Sequence, residues 1–396
     1  MPKGLAICVH RLGPYHHARI AAAANATSVV ALEFSRKTDQ YDWAEVDTSS
    51  RFARTTLCDD SRKLETPRLR SLVERQMDEI GPSVVAVNGW SDRAALLVLD
   101  WANRNQVPAI CMSESTPWDF RRNAAKEFLK RQLVSGFSAG LVGAHQHAAY
   151  LARLGMNPTD VFLGYDAIDN SHFSPTNAND HCLDAQLQEL KPYFLVAARF
   201  IPKKNLSRLL AAYATYVKSC QDKEHAWNLM LLGDGPLRSQ LENRIVELGI
   251  GGHVNMVGFV QYDDLPPYYR NAGAFVHAST TEQWGLVVNE AMAAGLPVIV
   301  SNRCGCADML VFDGENGYTF DPGNEVELCR LMTMMAGDEV DRDAMGYASQ
   351  QKIAEWGPDR FASGLKAAME RAIEVGGRKM TVARSLAMKV AMRGLG

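Results

Sequence analysis

Short apolar runs alternate with stretches of helical periodicity along almost the whole chain. In the first half, strands are expected at 5–9, 28–32, 83–87, 109–112, 140–143 and 160–163. Helices are expected between them at 67–80, 92–104, 121–133 and 145–154, the first with Thr66 as N-cap and Pro67 at its first position. The rhythm restarts in the second half, with strands at 193–198, 228–232, 253–257, 274–277, 297–300 and 318–320. Strands that are apolar almost throughout, each followed by a helix, imply parallel sheets covered on both faces.

Between the halves, Ser174-Pro175-Thr176-Asn177-Ala178-Asn179-Asp180-His181 is polar and poor in strand formers, and reads as a linker. The expected organisation is α/β, with two Rossmann-like doubly wound domains at 1–173 and 192–356 facing across a cleft. Residues 174–191 join them, and a helical segment, 357–396, packs back on the first domain. In such sheets ligands bind beyond the carboxyl ends of the strands.

At 396 residues the chain suits two ordinary domains, and 47% hydrophobic with 22% charged residues is the composition of a globular enzyme. A net charge of −3 gives no general affinity for nucleic acid. No apolar run is long enough for a membrane span and the amino terminus is too short in apolar residues for a signal peptide, so a cytoplasmic protein is expected. The eight cysteines are scattered and read as free thiols in a reducing compartment. Cys304-Gly305-Cys306 fits a redox or metal pair, but no second Cys/His pair at zinc-ligand spacing accompanies it, so ordinary thiols are the preferred reading and no metal is expected.

The segment richest in chemistry is Thr281-Glu282-Gln283-Trp284-Gly285-Leu286-Val287-Val288-Asn289-Glu290. Two carboxylates flank a glycine and the start of a helix expected near Trp284, whose N–H groups favour an anion. Carboxylates accept from vicinal hydroxyls, so the arrangement suits a sugar nucleotide. Upstream, Arg199 follows a strand and Lys204 precedes a helix, so the two can converge on one phosphate; alone they also fit a solvated basic loop. Gly233-Asp234-Gly235-Pro236 permits close backbone approach. Val257 and Phe259, around Gly258, offer an apolar wall to a nucleobase or ordinary packing.

Together, and in this order, these motifs over roughly residues 190–325 resemble the retaining glycosyltransferases of family 4, which have the GT-B fold. Phe162 to Asp169, with Phe173, is similar to the strand and crossover before the linker in that family. The resemblance implies transfer of a sugar from a nucleoside diphosphate to an acceptor hydroxyl, with no metal. It implies that Arg199 and Lys204 stabilise the leaving diphosphate and that Glu282 binds the sugar hydroxyls. Gln283, Trp284, Gly285 and Leu286 would complete the donor site, and Glu290 would hold the ribose. The first domain would then bind the acceptor, a sugar or a lipid-linked sugar of bacterial polysaccharide or glycoconjugate assembly.

Gly13, His16 and His17 lie in the loop that relatives turn toward phosphate and acceptor. Glu114 stands where relatives carry a histidine near the reacting carbon, and Cys306 stands in place of a loop glycine. Two further readings remain on the residues alone: a sugar-nucleotide epimerase on the same fold, and a non-catalytic partner subunit. Basic residues also interleave with apolar ones at 121–133 (Arg121, Arg122, Lys126, Lys130, Arg131) and from Arg371 to Arg393. These stretches fit either solvated helix faces or peripheral contact with the inner face of a membrane.

Overall fold

The computed structural model describes residues 4–37, 43–46, 51–119, 123–175, 187, 192–220 and 226–394. Most of the expected linker, 174–191, lies outside the described residues. The chain divides into two compact units. One comprises Met1–Ala167 and Pro358–Gly396, the other Ile168–Gly357.

The first unit is built on β1 (Leu5–Val9), β2 (Val29–Glu33), β3 (Ala53–Thr56), β4 (Val84–Val87), β5 (Ala109–Ser113), β6 (Ala139–Val142) and β7 (Val161–Leu163). They form one seven-stranded sheet in the order β3-β2-β1-β4-β5-β6-β7, parallel throughout. Successive side chains of β1 go to opposite faces: Ala6 and Cys8 to one core, Leu5, Ile7 and Val9 to the other. The first core holds Leu69, Val73 and Met77 of the Thr66–Ile80 helix with Ala387 and Met388 of the Val382–Arg393 helix. The second holds Ile20 of the Pro14–Ala24 helix with Phe361, Leu365 and Ala368 of the Pro358–Val375 helix. Both faces therefore draw on the last part of the chain.

The second unit contains β8 (Tyr193–Ala197), β9 (Asn228–Leu232), β10 (Val254–Gly258), β11 (Ala274–His277), β12 (Val298–Ser301) and β13 (Gly317–Phe320). These pair, again all parallel, in the order β10-β9-β8-β11-β12-β13. Phe194 and Val196 pack on Leu209, Leu210 and Tyr213 of the Leu206–Ser219 helix and on Leu331 of the Glu325–Ala336 helix.

Three local expectations are corrected. The edge strand β3 is not among the expected strands, because its sequence, Ala-Arg-Thr-Thr, is polar. Its Arg54 and Thr56 instead bond the buried Glu33 at the end of β2, both at 2.8 Å. Glu65 occupies the cap of the Thr66–Ile80 helix, with Thr66 inside it and no side-chain cap bond. The helix expected near Trp284 runs Leu286–Ala293, with Gly285 as its cap.

Candidate active site

Strand order reverses between β8 and β11 in the second unit, and in a parallel sheet the loops leaving these two strands open at the carboxyl edge. Arg199 stands two residues past β8, half-buried. Pro202–Lys204 then form one 3-10 turn, closed by Asn205 at φ 58°. That conformation is uncommon for a residue with a side chain, and Asn205 is tied down by donating to Ala278 O at 3.1 Å and Pro322 O at 2.9 Å. The turn thereby holds its two lysines toward the loop after β11.

Glu282 receives them. Lys203 Nζ reaches Oε1 at 3.1 Å and Lys204 Nζ pairs with Oε2. His277, the last residue of β11, places Nε2 3.7 Å from Oε2, and Ser279 Oγ donates to the same oxygen at 3.4 Å. Glu282 is only 9% exposed. Burial by itself raises its pKa, but the His277 contact and the lysine charges outweigh it and hold the carboxyl far below the ordinary range. His277 moves the other way. Burial lowers its pKa, and contacts with Cys304 and Glu282 more than reverse this.

The loop after β12 backs this cluster. Glu282 N donates to Arg303 O and Gly305 N to Glu282 O, both at 3.0 Å. Cys304 Sγ sits 2.8 Å from Trp284 O and 3.5 Å from Cys306 Sγ. Burial raises the Cys304 pKa, yet Cys306 and His277 bring it down to about 6. Gly285 has φ 102°, and a Cβ there would stand 2.7 Å from Cys304 Sγ. Only glycine suits both the backbone and the space. Trp284 is buried, its indole N–H donating to Asn289 Oδ1 at 2.9 Å. The first-turn N–H groups of the Leu286–Ala293 helix thus begin beside Glu282.

Two further strand ends complete the edge. Gly233 has φ 119° and its Cα lies so close to Ala198 that a Cβ would sit 2.0 Å from Ala198 O. A Cβ at Gly235 would lie 2.7 Å from Phe200 O, and Asp234 O accepts from Phe200 N at 2.8 Å. β10 slips register between Met256 and Gly258, and Val257 and Phe259 on either side of Gly258 are 39% and 40% exposed. Glu290 differs from the other expected residues. It is 1% exposed and accepts from Tyr269 Oη at 2.5 Å, beneath Phe173. The structure therefore sets it at the base of the site.

The remaining expected residues lie in the first unit, also at carboxyl ends. Gly13 caps the Pro14–Ala24 helix, with His16 and His17 in its first turn. Burial, then the charges of Arg19 and His10, push the His16 pKa down to about 3, so it is a neutral imidazole. His17 packs on Phe52. The loop before Gly13 is set by Glu33, which accepts from Leu12 N at 2.7 Å. Across the reversal between β1 and β4, His10 Nδ1 meets Asp92 Oδ2 at 2.6 Å. Glu114 follows β5, half-buried, near the fully buried Asp166, whose carboxyl is raised by burial and by Glu114.

Sequence reasoning missed Lys203, His277, Cys304, Glu33 and Asp166 as members of these clusters. A histidine closing a strand beside the reversal was the one available signal. Among the described residues, no group of three or more His, Cys, Asp or Glu side chains is placed to hold a metal ion.

Residues 184–352 match the family model of glycosyl transferases group 1. The structure of Anabaena HepE in complex with UDP and glucose superposes with a TM-score of 0.72 at 17% identity, covering 92% of this chain and 99% of that one. The fold is that of the GT-B glycosyltransferases. Among curated relatives, the sulfoquinovosyl transferase of Arabidopsis thaliana is 30% identical over 168 residues, 42% of this chain and 31% of its own. The alpha-monoglucosyldiacylglycerol synthase of Acholeplasma laidlawii is 33% identical over 132 residues, 33% of this chain and 32% of its own. The match thus spans about a third of the length of these relatives, and the family-model match falls wholly within the second unit.

Proposed function

We propose that the chain is a retaining, metal-independent glycosyltransferase of family 4 that moves a sugar from a nucleoside-diphosphate donor to an acceptor hydroxyl. The observation that carries this reading is Glu282, held ionised between Lys203 and Lys204 at the strand-order reversal of a GT-B sheet. A fixed carboxylate accepts from sugar hydroxyls, and the cations beside it suit a diphosphate.

In the proposed reaction the bond from the anomeric carbon to the diphosphate oxygen breaks as the bond to the acceptor oxygen forms on the same face. The acceptor proton passes to the departing phosphate. Arg199 and Lys204 stabilise the charge that develops on that phosphate, as does the first turn of the Leu286–Ala293 helix. Gly233 and Gly235 let the backbone approach the donor, while Val257 and Phe259 face its base. Glu290 contributes its ribose contact through a carboxylate it shares with Tyr269. Gly13, His16, His17 and Glu114 act on the acceptor side, where the acceptor is a sugar or a lipid-linked sugar of bacterial polysaccharide or glycoconjugate assembly.

The test is a panel of sugar nucleotides scored for binding and then for transfer. Lys204→Met is expected to lower turnover by about 10²–10³-fold, the scale of one lost transition-state contact. Glu282→Ala is expected to leave almost none while the protein stays folded. Unchanged turnover in Glu282→Ala refutes the assignment, and release of an epimerised donor without acceptor replaces it with an epimerase.

A further inference from the structure

The Val382–Arg393 helix buries Arg384, Ala387, Met388 and Met392 and leaves Val382, Leu386 and Val390 outside, 89%, 63% and 43% exposed. The spacing i, i+4, i+8 makes these three one continuous apolar stripe. The helix is held firmly. Arg384 donates to Asn103 Oδ1 at 2.6 Å, to Ser135 O at 2.8 Å and to Lys379 O at 2.7 Å, so the stripe is not a frayed end looking for its own core. The Ala124–Val134 helix packs beside it and adds Phe128, 59% exposed.

The exposed charges on these two helices have one sign. Lys379, Lys389 and Arg393 are exposed on or next to the helix, and Lys126 and Arg131 on its neighbour. From 376 to 394 there is no acidic residue. Glu127, the one acid of the neighbouring helix, is engaged by Tyr150 Oη at 3.0 Å and Lys130 at 3.4 Å. Not every basic residue of these stretches belongs to the face: Lys130 and Arg384 serve internal contacts, and Arg371 pairs with Asp160 at 2.8 Å. What remains is a local cationic surface on a chain of net charge −3, with aliphatic side chains set among the cations.

We infer that this face docks on an anionic lipid bilayer. Cations draw it to the headgroups, and the Val382–Leu386–Val390 stripe enters the acyl boundary. A nucleic acid uses the cations but has no use for three aliphatic side chains between them. A second copy of the same face sets like charges against each other. The bilayer uses both features.

The test is co-sedimentation of the full chain with vesicles of phosphatidylcholine alone and of equal parts phosphatidylcholine and phosphatidylglycerol, at low and high salt. Binding is expected to the mixed vesicles only, and to weaken with salt. Each cation removed is expected to lower partitioning about five-fold, so Lys389→Gln with Arg393→Gln lowers it about 25-fold. Leu386→Glu, at an exposed position, is expected to abolish binding without changing the melting temperature. No binding, equal binding to neutral vesicles, or binding indifferent to these variants overturns the proposal. Full competition by soluble heparin with no effect of Leu386→Glu also overturns it, and identifies a polyanion surface instead.

Discussion

Gly285→Ala tests the loop geometry most directly. At φ 102° and ψ 62° the residue lies in the left-handed half of backbone space, where a side chain costs ~1–2 kcal/mol. Its new Cβ also stands 2.7 Å from Cys304 Sγ, a sulfur already fixed by Trp284 O and Cys306, so it cannot swing away freely. Overpacking of that kind costs ~1–3 kcal/mol. The expected loss is therefore about 2–5 kcal/mol, a large share of the ~5–15 kcal/mol that holds an ordinary domain. Cys304→Ala in the same chain removes the steric part and leaves the backbone part. A double-mutant cycle, read by urea denaturation with hydrogen exchange over residues 286–293, is expected to show about 1–3 kcal/mol of favourable coupling. A Gly285→Ala protein as stable as its parent, or strict additivity in the cycle, would refute the argument.

Other outcomes follow from the buried charges. The Glu282 carboxyl is depressed in the folded state, so its stabilising contribution is present above the unfolded value near 4.5 and is lost as pH falls below it. Urea midpoints measured downward from pH 4.5 should fall less steeply in Glu282→Gln than in the parent; equal slopes contradict the pairing. The Cys304 thiolate should titrate near pH 6, seen as a step in its ultraviolet absorbance. The step should vanish in Cys304→Ser and move upward in His277→Gln; a midpoint left near 9.0 in the parent rules out the His277 and Cys306 contacts as its cause. Glu33→Ala strands Arg54, Thr56 and Leu12 N around an empty buried position and should cost ~3–5 kcal/mol in urea denaturation, more than Glu33→Gln.

The central strands were legible because parallel strands covered on both faces announce themselves as unbroken apolar runs. β3 was not, since an edge strand needs only partners, and Arg54 and Thr56 find theirs in Glu33. The site shows the same division. Glu282, Gly285 and Lys204 stood out because their residue types and spacing carry chemistry. Lys203 and His277 did not, because their place beside Glu282 depends on a turn fixed by Asn205 and on the pairing of β11 with β8. Cys304 presents a third case. Its sequence offered a redox or metal pair against an ordinary thiol, and contacts with His277 at the end of β11 and Cys306 in its own loop lower its pKa.

The first GT-B unit is discontinuous in the chain, and this bears on how the protein is made. One of its cores needs Phe361, Leu365 and Ala368, and the other needs Ala387 and Met388. The second unit, Ile168–Gly357, is contiguous and emerges before any of them. At ~5–20 residues per second, a ribosome takes about 10–40 s to cross those roughly 200 residues. Throughout that interval the first sheet has its strands but not its full covering. The unit begun first is thus completed last, and nascent chains are most open to misassociation on the apolar face that awaits Phe361.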